Sequence, residues 1–340
     1  MPGNPAAPPK LGGLMKALVV NCSVGHYNLG AEKLAGWLVD MGYQTTRSDG
    51  DPGLSSYGYD LVAVSAIFSW HAPVAREIAL RVRDHAEVWC GGPGMFALTN
   101  WWRRETGLDA TRGLDPRFER QRGTYRMTFA SRGCPVGCSF CIVPKLEGLD
   151  FTLDWDFQPA PVLCDNNLSA LPVEFQDHII SRYLISGTAL VDANSGFEPR
   201  TFDGNTFARW APILRGPWRC AYDTLDEGAE VKAVMALLNG VARQRKRVYV
   251  LVGNEPFEAC HERATKVLEW GAEPYCQAYR PLNALTKSAV KVAYDWTPQR
   301  LTDFCRYYNR HLWKYTSLIE YDRSVRTART QLAPEQGVLV

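Results

Sequence analysis

The 340-residue sequence lacks several features that would fix its class at once. Lys and Arg (38) nearly balance Asp and Glu (36), so the formal charge of +2 argues neither for nor against nucleic acid. No apolar run approaches the roughly 20 residues of a membrane helix. Ten cysteines in 340 residues fall far below the density of a disulfide-stapled secreted domain. Neither GxGxxG nor GxxxxGK[ST] follows the first strand-like run, so neither a dinucleotide nor a nucleoside triphosphate is expected there. The opening "MPGNPAAPPKLGG" (1–13) is rich in Pro and Gly without an apolar core, and reads as a disordered tail rather than a signal peptide. These absences point to a cytoplasmic, reducing setting, where clustered cysteines bind metal more often than they form disulfides.

What is present is an alternation of strand and helix patterns. "LMKALVVNC" is a continuous apolar run ending at Cys22, as for a strand buried on both faces. In "YNLGAEKLAGWLVDMG", Leu29, Leu34, Leu38 and Met41 recur at helical spacing, Asn28 and Gly30 stand at its start, and Gly42 stops it. "DLVAVSAIFSW", "APVAREIALRVRDH" and "AEVWCGG" continue the alternation. The expectation for residues 14–100 is a Rossmann-like parallel sheet with right-handed crossovers. Residues 101–123, charged and without a clear period, read as a linker, with Trp101 and Trp102 packed on one domain.

A second series runs from Thr124. Strand candidates are "YRMTFAS", "PVLCDN", "ALVDAN", "WRCAYD", "VYVLVG" and "PYCQAY", separated for the most part by helical segments. Six strands are too few for an eightfold barrel and fit a partial (β/α)6 barrel over residues 124–285. Residues 286–340 are expected to form a C-terminal helical extension. In its "TPQRLTDFCRYYNRHLWKY", Thr297 can cap, Pro298 takes the first position, and Leu301, Phe304, Tyr308 and Leu312 share a face. The whole is α/β.

The densest chemistry is "SRGCPVGCSFCIVPKLEG", which places Cys134, Cys138 and Cys141 directly after the first strand of the second series. A loop at the C-terminal end of a barrel strand is where such folds carry chemistry. Structural zinc wants four closed ligands, commonly two separated CxxC pairs. Here there is no partner pair, and the six histidines are scattered. Three thiolates holding a four-iron cubane leave one iron open to a reactant.

CxxxCxxC in that position, with Phe140 just before the third cysteine, resembles the radical S-adenosylmethionine (SAM) superfamily. The resemblance covers roughly Thr124 to Leu285. It implies that Cys134, Cys138 and Cys141 hold a [4Fe-4S] cluster whose open iron chelates SAM, and that one electron cleaves SAM to methionine and a 5′-deoxyadenosyl radical. It implies that Gly133 and Gly137 let the backbone fold around the cluster. It also offers SAM contacts. Asp165 and Asn166, in "CDNN", stand where the family carries a Gly-Gly-Glu-like turn, although the glycines are missing. Asp192 and Asn194 end the third strand, and Asp223 ends the fourth within reach of ribose hydroxyls. Val252 and Gly253 would lie against adenine, and Arg280 would meet a SAM carboxylate or the substrate. The N-terminal half is similar to the cobalamin-binding-type Rossmann domain of many such enzymes. Its DxHxxG motif is absent, with His26 the nearest histidine at the wrong spacing; some relatives bind cobalamin without that histidine and others keep the domain with no cofactor, so cobalamin stays open while its ligation by histidine is not expected. The remaining cysteines, especially Cys22, Cys90 and Cys164, read as small buried hydrophobes.

The implied partners are a small-molecule or nucleobase substrate and a flavodoxin- or ferredoxin-like reductant; no membrane is implied, and nucleic acid stays open through "RQRKR" (243–247) and the basic "YDRSVRTARTQ". Two other readings stay open. One is a tRNA methylthiotransferase-like enzyme, suggested by "CSFCIVP". That family brings three N-terminal cysteines and a C-terminal RNA-binding β-barrel, whereas only Cys22 and Cys90 stand upstream here and the tail reads as helix. The other is a non-catalytic metal-binding protein on a degenerate barrel.

Overall fold

The computed structural model describes residues 14–111, 113–290 and 294–321. The expectations for the tail 1–13 and for the basic stretch beyond Tyr321 lie outside the described residues. The protein is α/β and falls into two compact units, residues 1–160 with 282–287 and residues 161–281 with 288–340. Among the described residues, no helix is long and apolar enough to cross a membrane.

In the first unit, β1 (Lys16–Asn21), α1 (Leu29–Asp40), β2 (Gln44–Asp49), β3 (Leu61–Ser65), α2 (Ala72–Val82) and β4 (Glu87–Gly91) build a parallel sheet of order β2-β1-β3-β4. Alternate residues of the central strands enter opposite cores, which is why β1 and β3 read as unbroken apolar runs. Ala17, Val19, Leu61 and Ala63 meet Leu34, Ala35 and Leu38 of α1. Leu18, Val20, Val62 and Val64 meet Ile78, Ala79 and Val82 of α2 on the other face. Asn28 caps α1, its Oδ1 accepting from the Ala31 N–H (3.2 Å).

The segment expected to be a linker is partly helical. After α3 (Pro93–Phe96), α4 spans Thr99–Thr106 and buries Trp102 in the α2-side core, with Trp101 packed against the same cluster. Its sequence TNWWRRET sets two tryptophans and two arginines side by side, so two turns hold no readable period. α5 (Pro116–Glu119) follows, and Lys33 and Asp40 of α1 bond to Glu119 and Gln121 respectively. These bonds tie the chain after α4 back to the first sheet. The short strands β5 (Met127–Thr128) and β6 (Ser131–Arg132), the helix α6 (Val143–Leu146) and β7 (Thr152–Leu153) fall within the bounds of this first unit.

The second unit repeats strand and helix: β8 (Val162–Leu163), α7 (Val173–Ser186), β9 (Asp192–Ala193), α8 (Gly204–Trp210), β10 (Trp218–Ala221), α9 (Gly228–Leu237), β11 (Lys246–Val252), α10 (Phe257–Glu269) and β12 (Glu273–Ala278). β8 pairs parallel with β9, and β10-β11-β12 form a parallel sheet. A parallel bridge between Leu190 and Leu214 links the segments leading into β9 and β10. Successive parallel neighbours of this kind fit the barrel-like series read from the sequence. α11 (Pro298–Asn309) closes the β12 edge. Thr297 caps it, Leu301, Phe304 and Tyr308 are buried, and Asn309 takes both the N–H and the carbonyl of Cys276 (2.7 and 2.9 Å). Leu312 falls past the helix end, after His311 at φ +56°, in a short turn that precedes α12 (Leu318–Tyr321).

Candidate functional site

The three cysteines lie on a loop closed by backbone geometry. β6 and β7 pair antiparallel, Ser131 with Leu153 and Arg132 with Thr152, and the chain between them makes a wide excursion. Its neck is held by the Cys134 N–H donating to Gly148 O (3.3 Å) and by the Gly133 N–H donating to the Glu147 carboxylate (2.9 Å). Arg132 donates to the other Glu147 oxygen (3.2 Å) and to Glu119 (2.9 Å), and its guanidinium stacks 3.4 Å from the Phe129 ring centroid. Gly133 and Gly137 both take left-handed backbone, φ +89° and +67°. At Gly133 a Cβ would stand 2.2 Å from Asp150 O, so only glycine fits the neck.

Beyond the neck, the Cys141 N–H donates to Cys138 O (3.0 Å), and the Val143 N–H at the start of α6 donates to the Cys141 sulfur (3.4 Å). Cys134, Cys138, Cys141 and Phe140 are all half-buried. Among the described residues, no three His, Cys, Asp or Glu side chains gather closely enough to hold one metal ion. The donor chemistry of the loop fits an iron–sulfur cluster nonetheless: three thiols within eight residues and an amide already directed at one sulfur, the kind of bond that tunes cluster potential. The other cysteines behave as packing groups. Cys22, Cys90, Cys164 and Cys220 are buried, and burial pushes the Cys22 thiol up to about 12.

The SAM candidates belong to the second unit, where they follow the C-terminal ends of successive parallel strands. Asp165 is fully buried just past β8, and Asn166 beside it is half-buried. Asn194, exposed after β9, donates its N–H to Leu163 O (2.8 Å). Asp192 is engaged by the Arg219 fork (2.7 and 2.8 Å), which also donates to Tyr249 Oη (2.6 Å).

Asp223 follows β10 and accepts from the Leu251 N–H (3.3 Å). Burial, reinforced by the neighbouring Glu227 carboxylate, pushes its carboxyl up to about 7. Val252 ends β11 buried, its carbonyl accepting from the Tyr279 N–H (2.8 Å), and Gly253 turns away at φ +94°. Arg280 follows β12 and donates to Ala278 O (3.3 Å). Asp165, Asn166, Asn194, Asp223, Val252, Gly253 and Arg280 thus occupy one rim of the second unit, and the cysteine loop belongs to the first.

Residues that the sequence reading passed over hold this rim. Glu227 accepts from the N–H groups of Asp223 (2.6 Å) and Thr224 (3.2 Å); Thr224-x-x-Glu227 is a capping-box spacing legible in the sequence. Arg263, fully buried on α10, donates to Tyr222 O (2.6 Å) and Leu251 O (2.8 Å) and pairs with Glu255 (3.0 Å). It clamps the ends of β10 and β11. Nothing in an amphipathic helix pattern marks one arginine as inward-facing.

In the first unit, the order β2-β1-β3-β4 makes a topological switch point between β1 and β3, where ligands of open α/β sheets bind. Ser23 Oγ accepts from the Ile67 N–H (2.9 Å) and lies 2.8 Å from His71 Nδ1. The His26 ring meets Phe68 edge-on at 5.0 Å. Burial, with His26 and Lys287 nearby, lowers the His71 pKa.

No protein-family model matches the chain, and no curated protein is similar to it. Among solved structures, the chain is similar over 94% of its length to 61% of OxsB, a cobalamin-dependent S-adenosylmethionine radical enzyme whose structure holds aqua-cobalamin and S-adenosylmethionine, with a TM-score of 0.48 and 13% identity. The chain spans about three fifths of that protein's length.

Proposed function

We propose that the protein is a radical SAM enzyme, in which Cys134, Cys138 and Cys141 hold a [4Fe-4S] cluster. The observation that carries this reading is the cysteine loop itself: a CxxxCxxC spacing on an excursion whose neck accepts only glycine at position 133, with a backbone amide directed at the Cys141 sulfur. When bound, the cluster would supply the electron that splits SAM into methionine and a 5′-deoxyadenosyl radical. The chain's own work is binding and orientation. A primary carbon radical takes hydrogen from whichever C–H bond lies nearest, so the groups that fix the nucleoside decide the product. The polar strand-end set Asp165, Asn166, Asn194, Asp223 and Arg280 suits an adenosine and an amino-acid moiety, with the backbone of Val252 and Gly253 against the base.

Asp223 adds a proton-dependent element. With its carboxyl pushed up to about 7, it can donate to or accept from a ribose hydroxyl near neutral pH. A small molecule or a nucleobase is the proposed substrate, a flavodoxin- or ferredoxin-like protein the proposed reductant, and the cytoplasm the proposed compartment. Cobalamin is not assigned, since DxHxxG is absent and His26 packs edge-on against Phe68.

The test is anaerobic reconstitution followed by iron and sulfide analysis and assay for 5′-deoxyadenosine with dithionite and SAM. About four irons per chain are expected, with slow uncoupled release of 5′-deoxyadenosine. Both should disappear when Cys134, Cys138 and Cys141 are replaced together by Ala. Iron retained by the triple variant, or an intact cluster that never yields 5′-deoxyadenosine, sinks the proposal.

A further inference from the structure

We propose that a cavity in the first unit, beside the neck of the cysteine loop, is a binding site for a small organic anion, a carboxylate or a phosphate ester carrying an apolar body. The cavity measures about 510 Å³ and none of the three cysteines lines it. That volume lies within the roughly 300–1,000 Å³ range of small-molecule sites. This site is separate from the strand-end rim proposed for SAM and does not depend on that reading.

The argument rests on which polar groups in the cavity are already satisfied. Three of its four acids are engaged, Asp156 being the fourth. Glu119 accepts from Arg132 (2.9 Å), Glu147 from Arg132 (3.2 Å) and the Gly133 N–H (2.9 Å), and Asp154 takes Arg122 (2.9 Å to each oxygen). Its donors are not fully engaged. Lys33, only 7% exposed, reaches a single backbone carbonyl, Glu119 O, at 2.6 Å, which leaves two ammonium hydrogens unassigned. The Nε of Arg132 is buried with no hydrogen-bond partner.

Both groups converge on Glu119, Lys33 on its carbonyl and Arg132 on its carboxylate, so their unmet donors serve one region. Burying an ammonium is costly, and burial, with the repulsion of Arg132 and Arg122 added to it, lowers the Lys33 pKa although Glu119 and Asp154 pull it up. An incoming anion relieves both costs. The cation pair accounts for the head group, and the Phe129, Leu153 and Trp155 side chains lining the same cavity account for the apolar body.

The experiment is calorimetric titration of the full-length protein at low salt with benzoate and phenyl phosphate, and with benzyl alcohol and benzylammonium as uncharged and cationic probes. Benzoate or phenyl phosphate should bind saturably, and the tighter of the two identifies the head group. Two variants locate the site. Lys33→Met keeps the length of the side chain and removes the charge. Thr152→Trp fills the cavity from β7 without touching a charge. Each should weaken the anion by about tenfold or more, the usual scale for losing one charge-assisted hydrogen bond. Should Lys33→Met fail to fold, Thr152→Trp decides alone. Anion affinity unchanged by Thr152→Trp, equal affinity for benzylammonium, or no anion binding up to about 10 mM would each overturn the assignment.

Discussion

Gly133→Ala should empty the cysteine loop of iron while leaving all three thiols in place. At φ +89°, an alanine costs about 1–2 kcal/mol in left-handed backbone. Its Cβ would also stand 2.2 Å from Asp150 O and 3.0 Å from the Asp150 carbonyl carbon. Ordinary contact begins near 3.4 Å, so the Asp150 carbonyl would have to retreat by more than about 1 Å. That carbonyl is not at liberty to move. It is followed closely by the β6–β7 pairing at Thr152, and it is preceded by Gly148, whose carbonyl receives the Cys134 N–H.

Overpacking of this kind costs a further 1–3 kcal/mol or so, which brings the total to about 2–5 kcal/mol, concentrated in the neck. Since 1.4 kcal/mol is tenfold, the closed loop should be depopulated by at least about thirtyfold. Gly148→Ala supplies the control. Gly148 is also left-handed, at φ +97°, but nothing lies within 4 Å of the added Cβ, so only the conformational cost applies. Iron and sulfide per chain after anaerobic reconstitution should therefore fall steeply in Gly133→Ala and mildly in Gly148→Ala. Hydrogen exchange around Asp150 in the iron-free proteins should rank them the same way. The reasoning fails if Gly133→Ala binds iron like the wild type, or if both variants lose it equally.

Asp223 should make the protein less stable as pH rises. Its folded-state carboxyl is raised to about 7 from the usual 3.8, so the penalty is absent below about pH 4, grows through the interval and is complete above 7; Asp223→Asn should raise the melting temperature at pH 8 more than at pH 5, and an equal change at both would refute the shift. Arg263→Lys should lower stability by about 2–5 kcal/mol in urea, because one ammonium cannot serve Tyr222 O, Leu251 O and Glu255 together; a loss under about 1 kcal/mol would show the clamp to be dispensable. Asn28→Ala removes the α1 cap and the Nδ2–H bond to Ser65 Oγ (3.0 Å), and thermal unfolding should register about 1–2 kcal/mol; no change would mean that water replaces the cap.

The parts of the fold that were legible in the sequence are those where burial is two-sided or a cap is chemical. β1 and β3 have sheet neighbours on both sides and helices on both faces, which forces unbroken apolar runs. Asn28 and Thr297 announce their helices because each side chain takes a backbone N–H, from Ala31 and Arg300. β2 went unread for the opposite reason. "QTTRSD" sits at the sheet edge, half or fully exposed at every position, and pairs through backbone with β1, which leaves no hydrophobic signature. α4 is two turns long and its commitment rests on Trp102, a single large side chain that periodicity cannot weigh. α9 ends at Leu237, where the chain turns through Leu238 and Asn239 before the short turn at Arg243.

The candidate site divides along the same line. Spacing exposed the cysteines, and strand ends exposed Asp165, Asn194 and Asp223, since both are one-dimensional signals. The groups that hold those residues in place are long-range. Glu147 and Arg132 meet across 15 positions, Arg263 reaches 41 positions back to Tyr222 O, and Lys33 reaches 86 positions forward to Glu119 O. Such contacts follow from folding rather than from any local pattern. They have a consequence for the loop. Arg132 is at once the group that braces Glu147 at the cysteine neck and a residue lining the cavity proposed to take an anion, with its Nε buried and without a hydrogen-bond partner. A ligand bound there would draw on the guanidinium that holds the neck, so iron content and anion affinity should be measured on the same preparations, each as a function of the other.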